Sequence, residues 1–202
     1  MNGSPSAAGK RPRVGVLGLQ GDFQEHLEVL RRIGVDAADI RKPEQLDEID
    51  ALIIPGGEST TIGKLSDLYG LTEQIRSRAR SGMPLWGTCA GAIFIAQRVP
   101  GRPQTILGLM DITVERNAFG RQVDSFEADL DVPKFGRDRF HAVFIRAPKI
   151  SEVGKEVEVL SRLEDGTIVA AQQDKMLATS FHPELTHDDR FHRYLVDLIE
   201  RS

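Results

Sequence analysis

The sequence has a single cysteine, no long apolar run and no repeats, and each of these shortages excludes a class of protein. One cysteine, Cys89, stands among 202 residues. It can form neither an internal disulfide nor a zinc site built from thiolates. No apolar run approaches the ~20 residues that a membrane span needs, and no segment is repeated or of low complexity. We therefore expect a protein of a reducing compartment, the cytoplasm, with no membrane association.

The charge of the chain is also modest and evenly spread. Its formal net charge is −4, and no run of like charge stands out, so nucleic acid is not an expected partner. Residues 1–10 are small and polar and lack the apolar stretch of a secretory signal. We predict a disordered tail over residues 1–10 and one globular domain over residues 11–202.

The first half of the domain alternates short apolar runs with amphipathic segments. Asp22, followed three residues later by Glu25, is predicted to begin a helix with a capping box. This alternation predicts a mostly parallel sheet with helices on both faces. The predicted strands are 14–19, 35–40, 51–54 and 84–87, and the further predicted helices are 59–69, 71–80 and 90–97.

Beyond about residue 105 the pattern changes to extended segments separated by turns. The whole chain is therefore predicted to be an α/β protein with a flavodoxin-like open sheet and antiparallel strands added in its C-terminal half. The predicted extended segments are 106–114, 122–130, 142–146, 157–163, 167–172 and 177–180, and a final amphipathic helix is predicted at 188–199.

The sharpest local pattern is Gly87-Thr88-Cys89-Ala90-Gly91, between a predicted strand and a predicted helix. Glycines two residues before and after a nucleophile permit the tight turn that lifts it above a sheet. A sulfur at a helix N-terminus is favoured as thiolate, and the Ala90 N–H is free to stabilise an oxyanion. The alternative is a buried, inert cysteine.

A histidine and a glutamate lie two residues apart in Phe181-His182-Pro183-Glu184. In an extended segment they share a face, so Glu184 can orient a ring whose other nitrogen faces Cys89. The alternative is a surface histidine in a loop. A metal cluster that also uses His187 and His192 is disfavoured, because these two point apart on a helix. His26 and His141 are expected to lie on a helix surface and a strand edge, without chemistry.

A glycine pair, Gly56–Gly57, ends another predicted strand. Paired glycines allow unusual backbone angles and close approach of a ligand. No Gly-Lys-Ser/Thr follows, so a phosphate loop is excluded. We predict an oxyanion donor at Gly57 and substrate contacts at Glu58 and Ser59; the alternative is a plain turn in which Ser59 or Thr60 caps the next helix.

Together these three motifs resemble class I, triad-type glutamine amidotransferases. Segments 19–26, 115–122 and 124–127 resemble signatures of the glutaminase subunits of pyridoxal 5′-phosphate synthases, and the resemblance extends over about residues 14–185. It implies a Cys89–His182–Glu184 triad that hydrolyses L-glutamine through a glutamyl thioester and needs no metal or organic cofactor. Further glutamine contacts are implied for three residues: Arg116, Ile145 and Arg146.

The resemblance also implies a partner. A synthase subunit would meet the region of Gln20 in an assembly of about twelve copies of each chain. It would use the ammonia to make pyridoxal 5′-phosphate, the active form of vitamin B6. The glycine pair itself suggests a further hypothesis about regulation: Gly56–Gly57 flips to form the oxyanion hole only when the partner docks near Gln20. The alternatives are a stand-alone γ-glutamyl peptidase-like cysteine hydrolase and a non-catalytic regulatory subunit.

Overall fold

A ten-stranded sheet with helices on both faces forms the centre of the protein. The structure, a computed structural model, describes residues 11–101, 103–116 and 125–200. The strands are β1 (Arg13–Leu17), β2 (Asp36–Ile40), β3 (Ala51–Ile54), β4 (Leu85–Thr88), β5 (Ala96–Arg98), β6 (Met110–Glu115), β7 (Ser125–Leu130), β8 (Phe140–Ile145), β9 (Lys149–Val153), β10 (Glu158–Arg162), β11 (Ile168–Gln173) and β12 (Met176–Thr179). The helices are α1 (Phe23–Arg32), α2 (Ser59–Leu68), α3 (Leu71–Arg80), α4 (Ala90–Ile95) and α5 (Arg190–Glu200), with 3-10 helices at Pro43–Glu48, Pro133–Phe135 and Pro183–Leu185.

The sheet has a parallel half and a mostly antiparallel half. Strands β2, β1, β3, β4 and β12 lie side by side and run parallel. Strands β11, β9 and β6 follow, each antiparallel to its neighbour, while β10 pairs with β11 and β5 closes the far edge beside β6. Strands β7 and β8 form a separate antiparallel pair. The predicted fold class, including the added antiparallel strands, is confirmed.

Two apolar cores lie on opposite faces of the sheet. Ile54 and Leu85 contribute to one core, and their neighbours in the strands, Ile53 and Trp86, contribute to the other. This alternation follows from the two-residue period of a strand. Helices α2, α3 and α4 cover the first face, and helices α1 and α5 cover the second.

Three local predictions were wrong or incomplete. The predicted helix at 90–97 ends at Ile95, because Ala96 takes an extended backbone and begins β5, where it pairs with Met110 of β6. Strand β9 was not predicted. Asp22 precedes α1 but makes no side-chain cap; its carboxylate instead lies 3.4 Å from the His182 ring.

Several expectations fall where the structure makes no statement. The predicted tail at residues 1–10, the start of the 122–130 segment and most of the 115–122 signature lie outside the described residues. None of the helices in the described ranges combines the length and hydropathy that crossing a bilayer requires.

Candidate active site

The predicted site residues meet at the carboxyl ends of the parallel strands, where open α/β sheets bind their ligands. A cavity of about 450 Å³ opens there, a size usual for small-molecule sites. Glu184 lies behind it. All the other predicted site residues line the cavity: Gln20, Gly57, Glu58, Ser59, Cys89, Ala90, Arg116, Ile145, Arg146 and His182.

Cys89 occupies a strained turn between β4 and α4. Its backbone has φ 49° and ψ −109°, a region that costs a non-glycine residue about 1–3 kcal/mol. The Cys89 N–H donates to the Thr179 carbonyl at 2.8 Å, which ties the turn to β12. A side chain at Gly91 would overlap the Ile54 carbonyl oxygen. The flanking glycine is therefore required by close packing, and the sulfur faces the cavity.

His182 is aligned from both sides. Its backbone N–H donates to the Val143 carbonyl at 2.8 Å, and its Nδ1 lies 2.7 Å from Glu184 Oε1. This leaves Nε2 for Cys89. Burial alone would lower the pKa of His182, but hydrogen bonds to Cys89 and Glu184 outweigh burial and raise the pKa to about 10. The arrangement therefore favours an imidazolium beside the sulfur.

Among the described residues, one group of three His, Cys, Asp or Glu side chains brings its ligand atoms close enough for a metal ion, and it includes His182 and Glu184. Asp22, His182 and Glu184 offer ligand atoms within 4.8 Å of one another. When Nδ1–H of His182 donates to Glu184, it has no lone pair for a cation. His187 and His192, weighed as ligands in the sequence, do not belong to this group.

The glycine pair is set by the loop that precedes α1. The Asp22 N–H donates to the Gly56 carbonyl at 3.1 Å, and the Glu58 N–H donates to Gln20 Oε1 at 2.7 Å. Gly57 has φ 149°, and a side chain there would meet the Gln20 amide and the Gly21 backbone. The conformation of the glycine pair is therefore coupled to residues 20–22.

Glu58 has a structural role in addition to facing the cavity. It, rather than Ser59 or Thr60, caps α2 by accepting from the backbone N–H groups of Thr60 and Thr61 at 3.3 and 2.8 Å. Partial burial would raise the pKa of Glu58, but the hydrogen bonds from these threonines lower it to about 2. Arg116 Nη2 lies 3.1 Å from Glu58 Oε1. Both groups therefore meet as a charged pair at the cavity rim.

The end of β8 forms the opposite wall. The Ile145 carbonyl oxygen lies 3.9 Å from Cys89 Sγ. Arg146 follows with φ 43°, the left-handed region that non-glycine residues seldom adopt. Gln104, which was not predicted, accepts from Ser59 Oγ at 3.1 Å and from Arg116 Nη1 at 3.3 Å. It thereby links two of the predicted substrate contacts.

The prediction for His26 was wrong. The residue is fully buried, and its Nε2 lies 3.3 Å from Glu184 Oε2. The signal was present, because position 26 falls within the apolar stripe of α1 formed by Phe23, Leu27 and Leu30. His141 does lie exposed on β8, as expected, between Glu127 and Asp129.

The fold and the site define a class: an α/β protein with a cysteine, a histidine and a glutamate at the carboxyl edge of a parallel sheet. The chain belongs to the SNO glutamine amidotransferase family, whose model matches residues 16–201.

Individual relatives agree with this assignment. The chain is 57% identical over 188 residues to a "Pyridoxal 5′-phosphate synthase subunit PdxT" of Dehalococcoides mccartyi, covering 92% of this chain and 96% of the relative. It is 60% identical over 190 residues to the protein of the same name in Herpetosiphon aurantiacus, covering 92% and 99%. A solved structure described as a glutamine amidotransferase superposes with a TM-score of 0.88 at 54% identity, covering 93% of this chain and 98% of that one.

Proposed function

We propose that this chain is the glutaminase subunit of a pyridoxal 5′-phosphate synthase in the cytoplasm. It hydrolyses L-glutamine to L-glutamate and ammonia and supplies the ammonia to a synthase subunit. The observation that carries the proposal is Cys89 on its strained turn, hydrogen-bonded to a histidine that Glu184 aligns at 2.7 Å. Membership of a glutamine amidotransferase family and the names of the relatives support the substrate and the pathway.

The first chemical step is addition to the substrate amide. The Cys89 thiolate attacks the side-chain carbonyl carbon of glutamine, and negative charge develops on the carbonyl oxygen. The N–H groups of Gly57 and Ala90 are the proposed donors to that oxyanion; one such donor contributes about 3 kcal/mol. Ala90 begins α4, so its amide has no intrahelical acceptor.

His182 donates and accepts the protons of the remaining steps. The imidazolium gives its Nε2 proton to the departing nitrogen, ammonia leaves, and a γ-glutamyl thioester remains on Cys89. The neutral ring then takes a proton from water, which attacks the thioester and releases glutamate. Glu184 stabilises the charged ring through Nδ1–H and keeps it in one orientation.

Arginine residues are the proposed anchors for the substrate carboxylate. Arg116 and Arg146 both line the cavity, and a planar guanidinium binds two carboxylate oxygens at once. Arg116 already has Glu58 as a partner, so the rim can balance both charges of the amino acid: the carboxylate on arginine and the ammonium on Glu58. Ser59 and Ile145 complete the contacts.

The synthase subunit is proposed to control the oxyanion hole. Gln20 holds the amide of Glu58, directly beside the glycine pair. A partner that docks at Gln20 would disturb this hydrogen bond and let the Gly56–Gly57 peptide reorient towards the substrate. About twelve copies of each chain are proposed to form the assembly, as closed symmetric oligomers do.

Release of glutamate, measured with and without the synthase subunit, tests the proposal. Wild type is expected to be slow alone and faster with the synthase, whereas Cys89→Ala is expected to be inactive in both conditions because no nucleophile remains. The exposed histidine variant His141→Gln serves as the matched control and should behave as wild type. Appreciable turnover by Cys89→Ala would refute the assignment. Partner-independent cleavage of γ-glutamyl peptides would favour a stand-alone hydrolase instead.

A further inference from the structure

A pair of histidines, His26 and His192, lies directly behind the proposed triad. His26 of α1 and His192 of α5 are both fully buried, and His26 Nδ1 lies 2.9 Å from His192 Nε2. On its other side, His26 Nε2 lies 3.2 Å from Thr88 Oγ1 and 3.3 Å from Glu184 Oε2. The ring of His26 therefore connects the helix layer to the carboxylate that orients the proposed base.

Packing fixes the orientation of both rings. Trp86 of β4 meets His26 and His192 edge to face, with ring centroids 5.7 and 4.9 Å apart. The Trp86 indole N–H in turn donates to Thr179 Oγ1 at 3.1 Å. Aromatic contacts of this kind add to the energy of burial and restrict rotation. Neither imidazole can therefore turn away from its neighbours without disrupting the core.

Burial also keeps both histidines neutral. It lowers the pKa of His26 to about 3, with His182 and His192 adding to the effect and the Glu184 carboxylate opposing it. It lowers the pKa of His192 to about 3 as well, and Arg32 near the end of α1 adds to that effect. Each ring consequently carries a single N–H at neutral pH.

The partners determine where each proton lies. An ionised carboxylate only accepts hydrogen bonds, whereas the Thr88 hydroxyl can accept or donate. Because His26 Nε2 faces both Thr88 Oγ1 and Glu184 Oε2, at 3.2 and 3.3 Å, a proton on Nε2 avoids placing a nitrogen lone pair against the carboxylate. His26 Nδ1 is then an acceptor, and His192 Nε2 must be its donor. This leaves His192 Nδ1 without a proton, and that atom has no hydrogen-bond partner among the described residues. A buried acceptor without a partner is tolerated more often than a buried N–H without one.

We infer that His26, held as its Nε2–H tautomer by His192, is a positioning residue for Glu184 in the glutaminase reaction. The inference deepens, and rests on, the function proposed above. Glu184 uses Oε1 for His182, whereas its buried Oε2 has no aligned hydrogen bond in the described part of the chain, and His26 is the neighbouring donor. Closing that short gap would fix both the charge and the rotation of the carboxylate.

The tautomer can be measured without any activity. Long-range proton–nitrogen NMR spectra of protein labelled at its histidine rings report which nitrogen carries the proton; the His26 signals are assigned from His26→Gln. We expect a neutral His26 with its proton on Nε2 from about pH 5 to pH 9, well above its lowered pKa. A proton on Nδ1, or an imidazolium in that range, would overturn the inference whatever the enzyme does.

Two substitutions then separate positioning from packing. Glutamine at position 26 can place an N–H near the position of Nε2, whereas leucine fills the space without a donor. With the synthase present, His26→Leu is expected to lower kcat about tenfold or more, the scale typical of groups that orient a functional side chain, with little change in KM. The basic limb of its kcat/KM profile should move to lower pH, because a less firmly held Glu184 would do less to keep the pKa of His182 raised.

His26→Gln should regain most of the lost kcat and the original pH profile, and His141→Gln is the control. Thermal melting confirms that each variant is folded; if His26→Leu does not fold, the NMR measurement and His26→Gln still decide. A folded His26→Leu with the kcat and pH profile of wild type would sink the inference. Wild type without glutaminase activity beside its synthase would instead sink the proposed function, so the two failures are distinguishable.

Discussion

The backbone of Cys89 is strained, and this strained conformation is what places the sulfur in the cavity. With φ 49° and ψ −109°, the residue occupies a region in which the β-carbon of an L-amino acid is crowded. The N–H of Cys89 bonded to Thr179 and the glycines at 87 and 91 hold the turn in place. The strain therefore serves to expose the sulfur to the cavity and does not increase the folding stability.

Replacing this residue by glycine is predicted to relieve the strain. Cys89→Gly should be more stable than Cys89→Ala by about 1 kcal/mol, because the relief of ~1–3 kcal/mol exceeds the entropic cost of glycine. Chemical denaturation of both variants measures the difference. Ala92→Gly in the following helix is the control, and there glycine should lower stability. Equal stability of the two Cys89 variants would show that the turn is unstrained.

At the residue scale, the candidate site was easier to pick out from the sequence than the residues that surround it. Cys89, His182 and Glu184, which the structure brings together, were singled out because glycines and a proline mark the turns that carry them. The burial of His26 could have been inferred from its place in the apolar stripe of α1, but its contact with Glu184 could not, because the two residues are far apart in sequence. The cap by Glu58 was missed because Ser59 and Thr60 are better capping residues by propensity alone.

At the scale of elements, the site depends on how closely α4 approaches β3. A side chain at Gly91 would overlap the Ile54 carbonyl oxygen, a backbone atom that cannot rotate away. Gly87 is restricted in the same way by the backbone of Gly91. The glycines thus set the distance between the strand end and the helix that follows Cys89.

Gly91→Ala is therefore predicted to push α4 away from β3. We expect a loss of about 1–3 kcal/mol in the free energy of unfolding, as for other overpacked interiors, and a larger relative loss of glutamine hydrolysis because Cys89 moves with the helix. Denaturation curves and the coupled assay with the synthase measure the two effects. Ser77→Ala, exposed in α3, should change neither. Wild-type stability in Gly91→Ala would mean that the helix has room to spare.

The elements themselves were predictable to different degrees. The parallel half was recovered because buried strands read as uninterrupted apolar runs between amphipathic helices. Strand β9 and the short β5 were missed because their residues are only partly buried or few in number, and their pairing with β6 depends on long-range contacts. Tertiary pairing of this kind outweighs local propensity.

At the scale of the whole molecule, three buried histidines give stability an opposite pH dependence on the two sides of neutrality. The pKa values of His26 and His192 fall from 6.5 to about 3, so between these values the unfolded chain binds more protons and acid favours unfolding. The pKa of His182 rises from 6.5 to about 10, so its contribution is complete below 6.5 and is lost as the pH rises towards 10.

Thermal stability is consequently predicted to be greatest near pH 6–7 and to fall on both sides. Melting temperatures across pH 4 to 10 at constant ionic strength test this.

His192→Phe should be less stable overall but show a shallower decline in melting temperature below pH 6.5, because one histidine that must stay neutral in the fold is gone. A melting temperature that does not change between pH 6.5 and pH 4 would contradict the neutral state of the buried pair.

The two-stranded sheet of β7 and β8 contributes to the proposed site in two ways. Strand β8 ends in Ile145, next to Arg146, at the rim where glutamine is proposed to enter, and its Val143 carbonyl accepts the backbone N–H of His182. The same two strands therefore carry proposed substrate contacts and also fix the position of His182. A substitution that moves the backbone of β8 to alter substrate preference would also move His182, the proposed proton donor. Evolution therefore cannot change the one without affecting the other.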